Sequence, residues 1–538
     1  MTKTTLAKVA GTERRAASTW EALTVAVATV AGLALRLYRL GAAPLSSQEV
    51  YTWDFSHQSV PFILVRLPHM ETNPPFYYLL MKGVTLLGDA EFLLRLPSVI
   101  AGSLAIPLVY LLGRVGGASA GGAVASVLLA LSAVGITYSR DARVYAFAQD
   151  ACLLAAIGMV IILKGYFGKR DASGEADPRE ATGWVLFTAA SLLGFYLHYT
   201  FVVEIAALQA AFALVWMTAA RFDKALLFRW LASAAALALG MSWGLMLARG
   251  QSQSPDIAWM TVPTLRDAAG LLIHVDGFGA LSRFHPWPSL FLIGTAFVGL
   301  AAGWRRSAAV LVAGALFVLF PLLLLFISQS RPMFIERVLV PPTFAVCLLA
   351  GHGVLWLAGT ARRSLAESGM FVRPGALAAL AALTVLIPAA ISAANSLRPA
   401  QVWEPYDKAA GYLAAAVKPG DVAAGADGII YYRDRMGDEF PYYKIITGET
   451  SEGRVTFGSP TVNPGDVAKL ARSDRSVYLV LRESMMLLID GRLQSHAAYV
   501  LGHLGAEAAW VATFGKLDVY RLTGTCPASA PCIGAAAK

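Results

Sequence analysis

Apolar runs of about 20 residues recur along the first three quarters of the chain, separated by short polar stretches that hold most of its charge. Each run is long enough to cross a hydrocarbon core of about 30 Å as a helix. Hydrophobic windows place spans near 20–40, 95–113, 119–138, 146–166, 182–199, 201–220, 230–248, 288–304, 307–328, 338–358 and 376–395. These make about eleven, so the two ends are expected on opposite sides of a membrane. From Gln401 onward the pattern changes: Asp, Lys, Gly and Tyr interrupt the apolar runs. That stretch reads as a helix over 404–416, a turn at Lys418-Pro419-Gly420-Asp421, and strands over 476–481 and Leu517–Leu522. The expected organisation is a tail (1–19), an all-α polytopic membrane bundle (20–396) and a soluble α/β domain (397–538).

Charge sets the orientation. Lys3, Lys8, Arg14 and Arg15, then Arg114, Lys164, Lys169, Arg170, Arg221, Lys224, Arg229, Arg305, Arg306, Arg362, Arg363 and Arg373, all fall on one side of this arrangement, and basic loops face the cytoplasm. The first apolar run has no small-residue cleavage site close behind it and continues into Arg36, Arg39 and Pro44, so it reads as a retained anchor with a cytoplasmic amino terminus. Four stretches then face outward: 41–94, 139–145, 249–287 and everything after about 395. Within the first, 46–62 and 74–87 mix aromatic and aliphatic residues with Glu, His, Asn and Pro. Both read as short interfacial helices, the second opened by Pro74 and Pro75.

Composition narrows the class further. The chain has 538 residues, 57% hydrophobic and 15% charged, with mean hydropathy +0.57, which excludes a soluble or disordered protein. The net charge of +9 lies in clusters between apolar runs, a matter of membrane topology rather than of nucleic-acid binding. Four cysteines are too few for a disulfide scaffold: Cys152 and Cys347 lie in apolar runs, and Cys526 and Cys532 are placed where a short structural disulfide is plausible.

Ionisable groups at membrane depth cost about 2.5–3.5 kcal/mol each, so their positions carry information. Glu49 and Asp54 lie in the first surface helix, His69 and Glu71 just before Asn73-Pro74-Pro75, Asp141 between the third and fourth spans, and His198 at the outer end of the fifth. Arg143, Arg331 and Arg337 add positive charge at that level. Carboxylates beside arginines suit a reaction in which a hydroxyl loses a proton while an anionic phosphate departs. A structural reading stands beside this one: Arg140, Asp141 and Arg143 also suit an ion pair bracing a tight turn, and Tyr77, Tyr78, Tyr145 and Tyr199 also suit an interfacial aromatic belt. The spacing of His69, Glu71, His198 and His274 does not specify a metal site.

The segments Leu35-Arg36-Leu37-Tyr38-Arg39-Leu40-Gly41, Pro44-Leu45-Ser46-Ser47-Gln48-Glu49, Asn73-Pro74-Pro75-Phe76-Tyr77-Tyr78, Leu94-Arg95-Leu96-Pro97-Ser98, Tyr138-Ser139-Arg140-Asp141-Ala142-Arg143-Val144-Tyr145 and Leu197-His198-Tyr199 occur in a fixed order. In that order and spacing the chain resembles the C-type (GT-C) multi-span glycosyltransferases of the family 39 kind, which include protein O-mannosyltransferases and lipid A aminoarabinose transferases. The resemblance is strong over about 30–210, weaker through Arg331-Pro332-Met333-Phe334-Ile335-Glu336-Arg337, and architectural beyond.

The resemblance implies an inner-membrane enzyme that moves a sugar, with inversion, from a polyprenyl-phosphate donor to an envelope glycolipid, polysaccharide or protein on the periplasmic face. The resemblance puts the family's favoured base, an Asp, at the position of Gln48 and retains Glu49 beside it. Glu49 or another outer acid is therefore expected to take that role, Glu49 foremost, with Asp141 as its partner or as holder of the acceptor. Arg337, Arg331 and Arg143 are expected on the donor phosphate, and Gln48, Asp54, Glu71, Asn73, Tyr78 and His198 around the substrates. Gln48 stands where the family usually has Asp, and an amide cannot take the acceptor's proton. The chemistry requires no cofactor, and a divalent metal stays open. The outer domain is expected to help choose the acceptor. Two other classes compete: a transporter or flippase of a lipid-linked precursor, which also builds with buried charges and many spans, and an inactive homologue.

Overall fold

In the computed structural model the described residues are 3–69, 71–167, 178–218, 224–251, 260–370, 373–398, 402–426, 428–445, 461–471, 475–483, 486–489, 492–504 and 508–522. Cys526 and Cys532 lie outside them. Ten helices among the described residues are long and apolar enough to cross a membrane: Thr19–Leu37, Glu91–Val115, Tyr145–Lys164, Glu180–Leu197, Phe201–Thr218, Lys224–Arg249, Pro286–Gly303, Ala308–Ser328, Pro341–Glu367 and Gly375–Ser396. The pair Ser119–Ala130 and Ala133–Ser139, bent by 61°, passes the same test only when taken together, which brings the count to eleven at most. The bend has a local cause. Ser132 is extended and its hydroxyl accepts the Gly135 N–H, so the chain starts a new, separately capped helix there. The molecule is an integral, multi-pass membrane protein.

Two compact units form. One comprises residues 1–40, 95–248 and 262–398, and the other 41–94, 249–261 and 399–538. The first polar stretch thus groups with the carboxy-terminal residues rather than with the spans on either side of it. Its helices, Ser47–His57 and Phe76–Thr85, are too short to cross a bilayer. The first is shorter than the hydrophobic pattern implied, because backbone between it and Phe76–Thr85 is taken up by tighter and wider turns at Phe62–Arg66 and Leu67–His69. Pro75 caps the second helix rather than entering its first turn.

In the bundle, small residues bring backbones together. Pro286–Gly303 packs on Phe344–Glu367 where a Cβ at Gly353 would run into the Thr295 carbonyl. The largest fully buried side chain is Arg36. Its guanidinium donates to Ser139 Oγ (3.1 Å) and to the carbonyls of Gly32 (3.0 Å), Ala130 (3.3 Å) and Leu129 (3.3 Å), tying the first span to the bent pair. Burying a guanidinium is tolerable only with its N–H groups matched in this way.

Among the described residues the second unit holds eight strands: β1 (Val422–Gly425), β2 (Tyr442–Ile445), β3 (Thr461–Val462), β4 (Val477–Arg482), β5 (Met486–Ile489), β6 (Arg492–Ser495), β7 (Ala508–Phe514) and β8 (Leu517–Leu522). Six form a mixed sheet in the order β3-β2-β1-β4-β8-β7, and β5 and β6 form a separate hairpin. β3, β2, β1 and β4 run parallel, with Ala424 opposite Tyr443 and Leu479, while β8 and β7 return antiparallel. Helices Gly428–Met436 and Pro464–Leu470 lie in the parallel crossovers, as such crossovers require. The core is Val422, Ala424, Val467, Val477, Leu479, Leu481, Val500 and Leu522.

Candidate functional site

In the bundle, the chemistry-bearing residues gather around the turn that follows Ser139. Three bonds set this turn: Arg140 Nη2 donates to the Tyr38 carbonyl (2.8 Å), Ser98 Oγ to the Arg143 carbonyl (3.0 Å), and the Arg143 N–H to the Asp141 carbonyl (2.7 Å). Arg143 is buried by the turn, at 6% exposure, whereas Asp141 is partly accessible. Tyr145, opening the next helix, meets Tyr138 edge-on at 5.2 Å and lies 6.1 Å from the His198 ring. His198 sits between two spans and its Nδ1 is 2.6 Å from Thr200 Oγ1.

Desolvation, reinforced by the guanidinium groups of Arg337 and Arg143, pushes the His198 pKa down to about 3. The ring is therefore neutral at pH 7. Arg337 stands on the single-turn helix Glu336–Leu339, beside Glu336, whose Oε1 is 3.5 Å from His274 Nε2. Glu336, Asp141 and Arg337 all act electrostatically on the Tyr138 hydroxyl, so these side chains share one neighbourhood. Arg331 is exposed. The bundle thus brings together Asp141, Arg143, His198 and Arg337. Two cations thus bear on one neutral imidazole, with the carboxylates of Asp141 and Glu336 in the same neighbourhood.

The second unit holds the remaining expected residues, and most have structural duties. Glu49 is 3% exposed, and its Oε2 accepts the Ser46 N–H (2.8 Å) while Ser46 Oγ accepts the Glu49 N–H (3.3 Å), a reciprocal helix cap. Gln48, next to it, is half-buried. Asp54 is 2.7 Å from Lys444 Nζ, with side chains 11% and 6% exposed. Glu71 Oε1 accepts the backbone N–H groups of Thr72 and Asn73 (2.9 and 3.1 Å) and the Asn73 side-chain amide (2.7 Å), which fixes the chain ahead of Pro74. Tyr78 is 1% exposed and packs edge-on against Phe55 at 5.5 Å, in a core with Ile63 and Leu67. Among the described residues no three His, Cys, Asp or Glu side chains are grouped to hold a metal ion.

Two residues that sequence reasoning did not single out join this picture. Lys444, in β2, is 5% exposed, and Arg482, at the end of β4, reaches Ser47 and Tyr51. The available signal was a lysine enclosed in the run Tyr442-Tyr443-Lys444-Ile445, where a strand buried on both faces leaves no route to water.

Comparison with solved structures completes the description. ArnT from Cupriavidus metallidurans in the apo state superimposes with a TM-score of 0.58 at 13% identity, over 94% of this chain and 98% of that one. The same protein bound to undecaprenyl phosphate gives 0.57 at 14% identity, with the same coverage. The fold is that of the C-type glycosyltransferases. The archaeal oligosaccharyltransferase AglB from Archaeoglobus fulgidus, in complex with an inhibitory peptide and a dolichol-phosphate, also shares this GT-C fold, with a TM-score of 0.53 at 12% identity over 93% of this chain and 74% of that one. No family model and no curated protein matches the sequence. The likeness to these solved structures is one of fold.

Proposed function

We propose that this protein is an inverting GT-C glycosyltransferase that moves a hexosyl or pentosyl unit from a polyprenyl-phosphate donor to an envelope glycolipid, polysaccharide or protein, on the face of the inner membrane away from the cytoplasm. The observation that carries the reading is the gathering of Asp141, Arg143 and Arg337 around the Tyr138, Tyr145 and His198 rings at one turn of the bundle. Solved GT-C structures with undecaprenyl phosphate and dolichol-phosphate support the class of donor.

The acceptor oxygen attacks the anomeric carbon from the side opposite the phosphate. The carbon–oxygen bond to phosphate breaks, its electron pair leaves on the prenyl phosphate, and the acceptor's proton passes to a carboxylate. Charge grows on the departing phosphate, and a cation 4 Å from it contributes about 4 kcal/mol at an effective dielectric of 20. Arg143 and Arg337 supply that contact in this reading, with His198 neutral in the same neighbourhood so that it hydrogen-bonds without adding a third charge. The proton acceptor is Glu49 or Asp141. Glu49 is enclosed and serves as a cap, while Asp141 keeps access to solvent.

Proteoliposomes charged with a polyprenyl-phosphate sugar radiolabelled in the sugar test the reading. Label is expected to leave the prenyl carrier when envelope lipid or protein is supplied as acceptor, and label that crosses the bilayer still attached to its carrier identifies a flippase instead. Arg337→Gln is expected to weaken undecaprenyl phosphate binding by about tenfold, as for one lost charge-assisted contact. Glu49→Gln retains a residue type able to close the cap. It therefore separates the two roles: loss of transfer by about 10²-fold or more in a protein of unchanged stability makes Glu49 the base, and full transfer leaves that role to Asp141.

A further inference from the structure

The helix Ser47–His57 is gripped along its length by side chains more than 340 positions further on in the same unit. Ahead of it, the Leu45 N–H donates to the Tyr432 hydroxyl at 2.7 Å. In its first turns, Arg482 donates to Ser47 Oγ (3.1 Å) and the Tyr51 hydroxyl (3.4 Å) and is itself held by Glu404 Oε1 at 3.2 Å, whose other oxygen accepts from Tyr406 at 2.8 Å. Near its end, Trp53 packs edge-on against Tyr431 at 5.2 Å, and Asp54 meets Lys444 at 2.7 Å. The polar contacts come from β2, β4 and the helix Gly428–Met436, three elements that share one sheet and its crossover. A helix of eleven residues is marginal by itself, so its roll and position are set by what holds it.

We infer that Lys444 and Arg482 are positioning residues: they fix the roll of the helix Ser47–His57 and, through it, the placement of Gln48 and Glu49 for the transfer reaction. The inference rests on the reading of that helix as part of the transfer site. Two features favour positioning over general stabilisation. Both cations contact the helix that carries Gln48 and Glu49 and are held by rigid strands. The Lys444–Asp54 pair is also enclosed, so a shift of the helix would strand a buried charge. The α/β domain then acts as a jig for this helix, whatever acceptor is used.

The test compares the full-length protein in nanodiscs with Lys444→Met, Lys444→Arg and the neutral pair Asp54→Asn/Lys444→Gln. Amide hydrogen exchange over 47–57 is read beside kcat and KM for the prenyl-phosphate sugar. Lys444→Met is expected to lose protection in 47–57 while the sheet strands keep theirs, and to lower kcat about tenfold or more with KM for the donor within twofold, because misplacement of about 1 Å costs reaction rate steeply. Lys444→Arg restores both. If Lys444→Met does not fold, the neutral pair, which leaves no lone buried charge, carries the same two expectations. Unchanged protection over 47–57, or unchanged kcat with that protection lost, overturns the inference. A wild-type protein that transfers no sugar refutes the proposed function instead, while the exchange data still report whether Lys444 holds the helix.

Discussion

His198 shows how one side chain records its surroundings. Its ordinary pKa near 6.5 is pushed down to about 3, first by desolvation and then by Arg337 and Arg143. The unfolded chain therefore binds a proton at a pH where the folded protein refuses it, so stability is greatest above about 6.5 and falls as the pH drops from there toward 3. Thermal melts of the detergent-solubilised protein are expected to show this decline, and His198→Asn to flatten the part that His198 contributes. An anion placed beside the two arginines offsets two of the three causes. Undecaprenyl phosphate should accordingly shallow the acid limb of the wild-type curve and leave that of His198→Asn unmoved. A wild-type curve flat between pH 6.5 and 4 would show that the ring protonates freely and does not sit under the two guanidinium groups.

At the scale of elements, the decisive feature of the bundle is a helix that stops and restarts. The composition of 119–138 implies a single straight span, yet Ser132 caps a new helix and the chain turns by 61°. That turn carries Ser139 to Arg36 and delivers 140–145 to the end of the bundle where His198 lies. Gly102 makes the junction possible, since a Cβ there would overlap the Ser139 hydroxyl and crowd the Arg36 guanidinium. Gly102→Val is expected to destabilise the protein by about 1–3 kcal/mol, the usual cost of overpacking. Its melting temperature should fall, and so should undecaprenyl phosphate affinity, because the same junction sets Arg143. Gly359→Val, with open space around its Cα, is the matched control and is expected to melt with the wild type.

For the whole molecule, the proposed orientation makes a direct prediction. In a background with Cys526 and Cys532 replaced by serine, a membrane-impermeant maleimide applied to spheroplasts should label Gly411→Cys, an exposed position with nothing near its Cα, and spare Ser364→Cys, exposed at the far end of the span Pro341–Glu367. The reverse pattern would put the α/β domain in the cytoplasm and remove the proposed site of reaction. The native Cys152 and Cys347 are buried and should stay silent.

What the sequence determined by itself is what depends on composition within about 20 residues. The ten or eleven apolar spans in their order, and the ordered acids and arginines, follow from hydrophobic length and from the cost of burying charge. Strand β8 was legible for a similar reason, as a short run rich in aliphatic and aromatic residues bounded by turn residues. Only the tertiary structure decided that Glu49 closes a cap, that Glu71 and Asn73 brace a turn, that residues 41–94 belong with the α/β domain, and that Lys444 faces Asp54. The pairing of Asp54 with Lys444 joins residues 390 positions apart, as does that of Arg482 with Ser47 at 435. Such contacts leave no periodic trace along the chain, because each depends on where the backbone brings two side chains, and no local hydrophobic pattern encodes that.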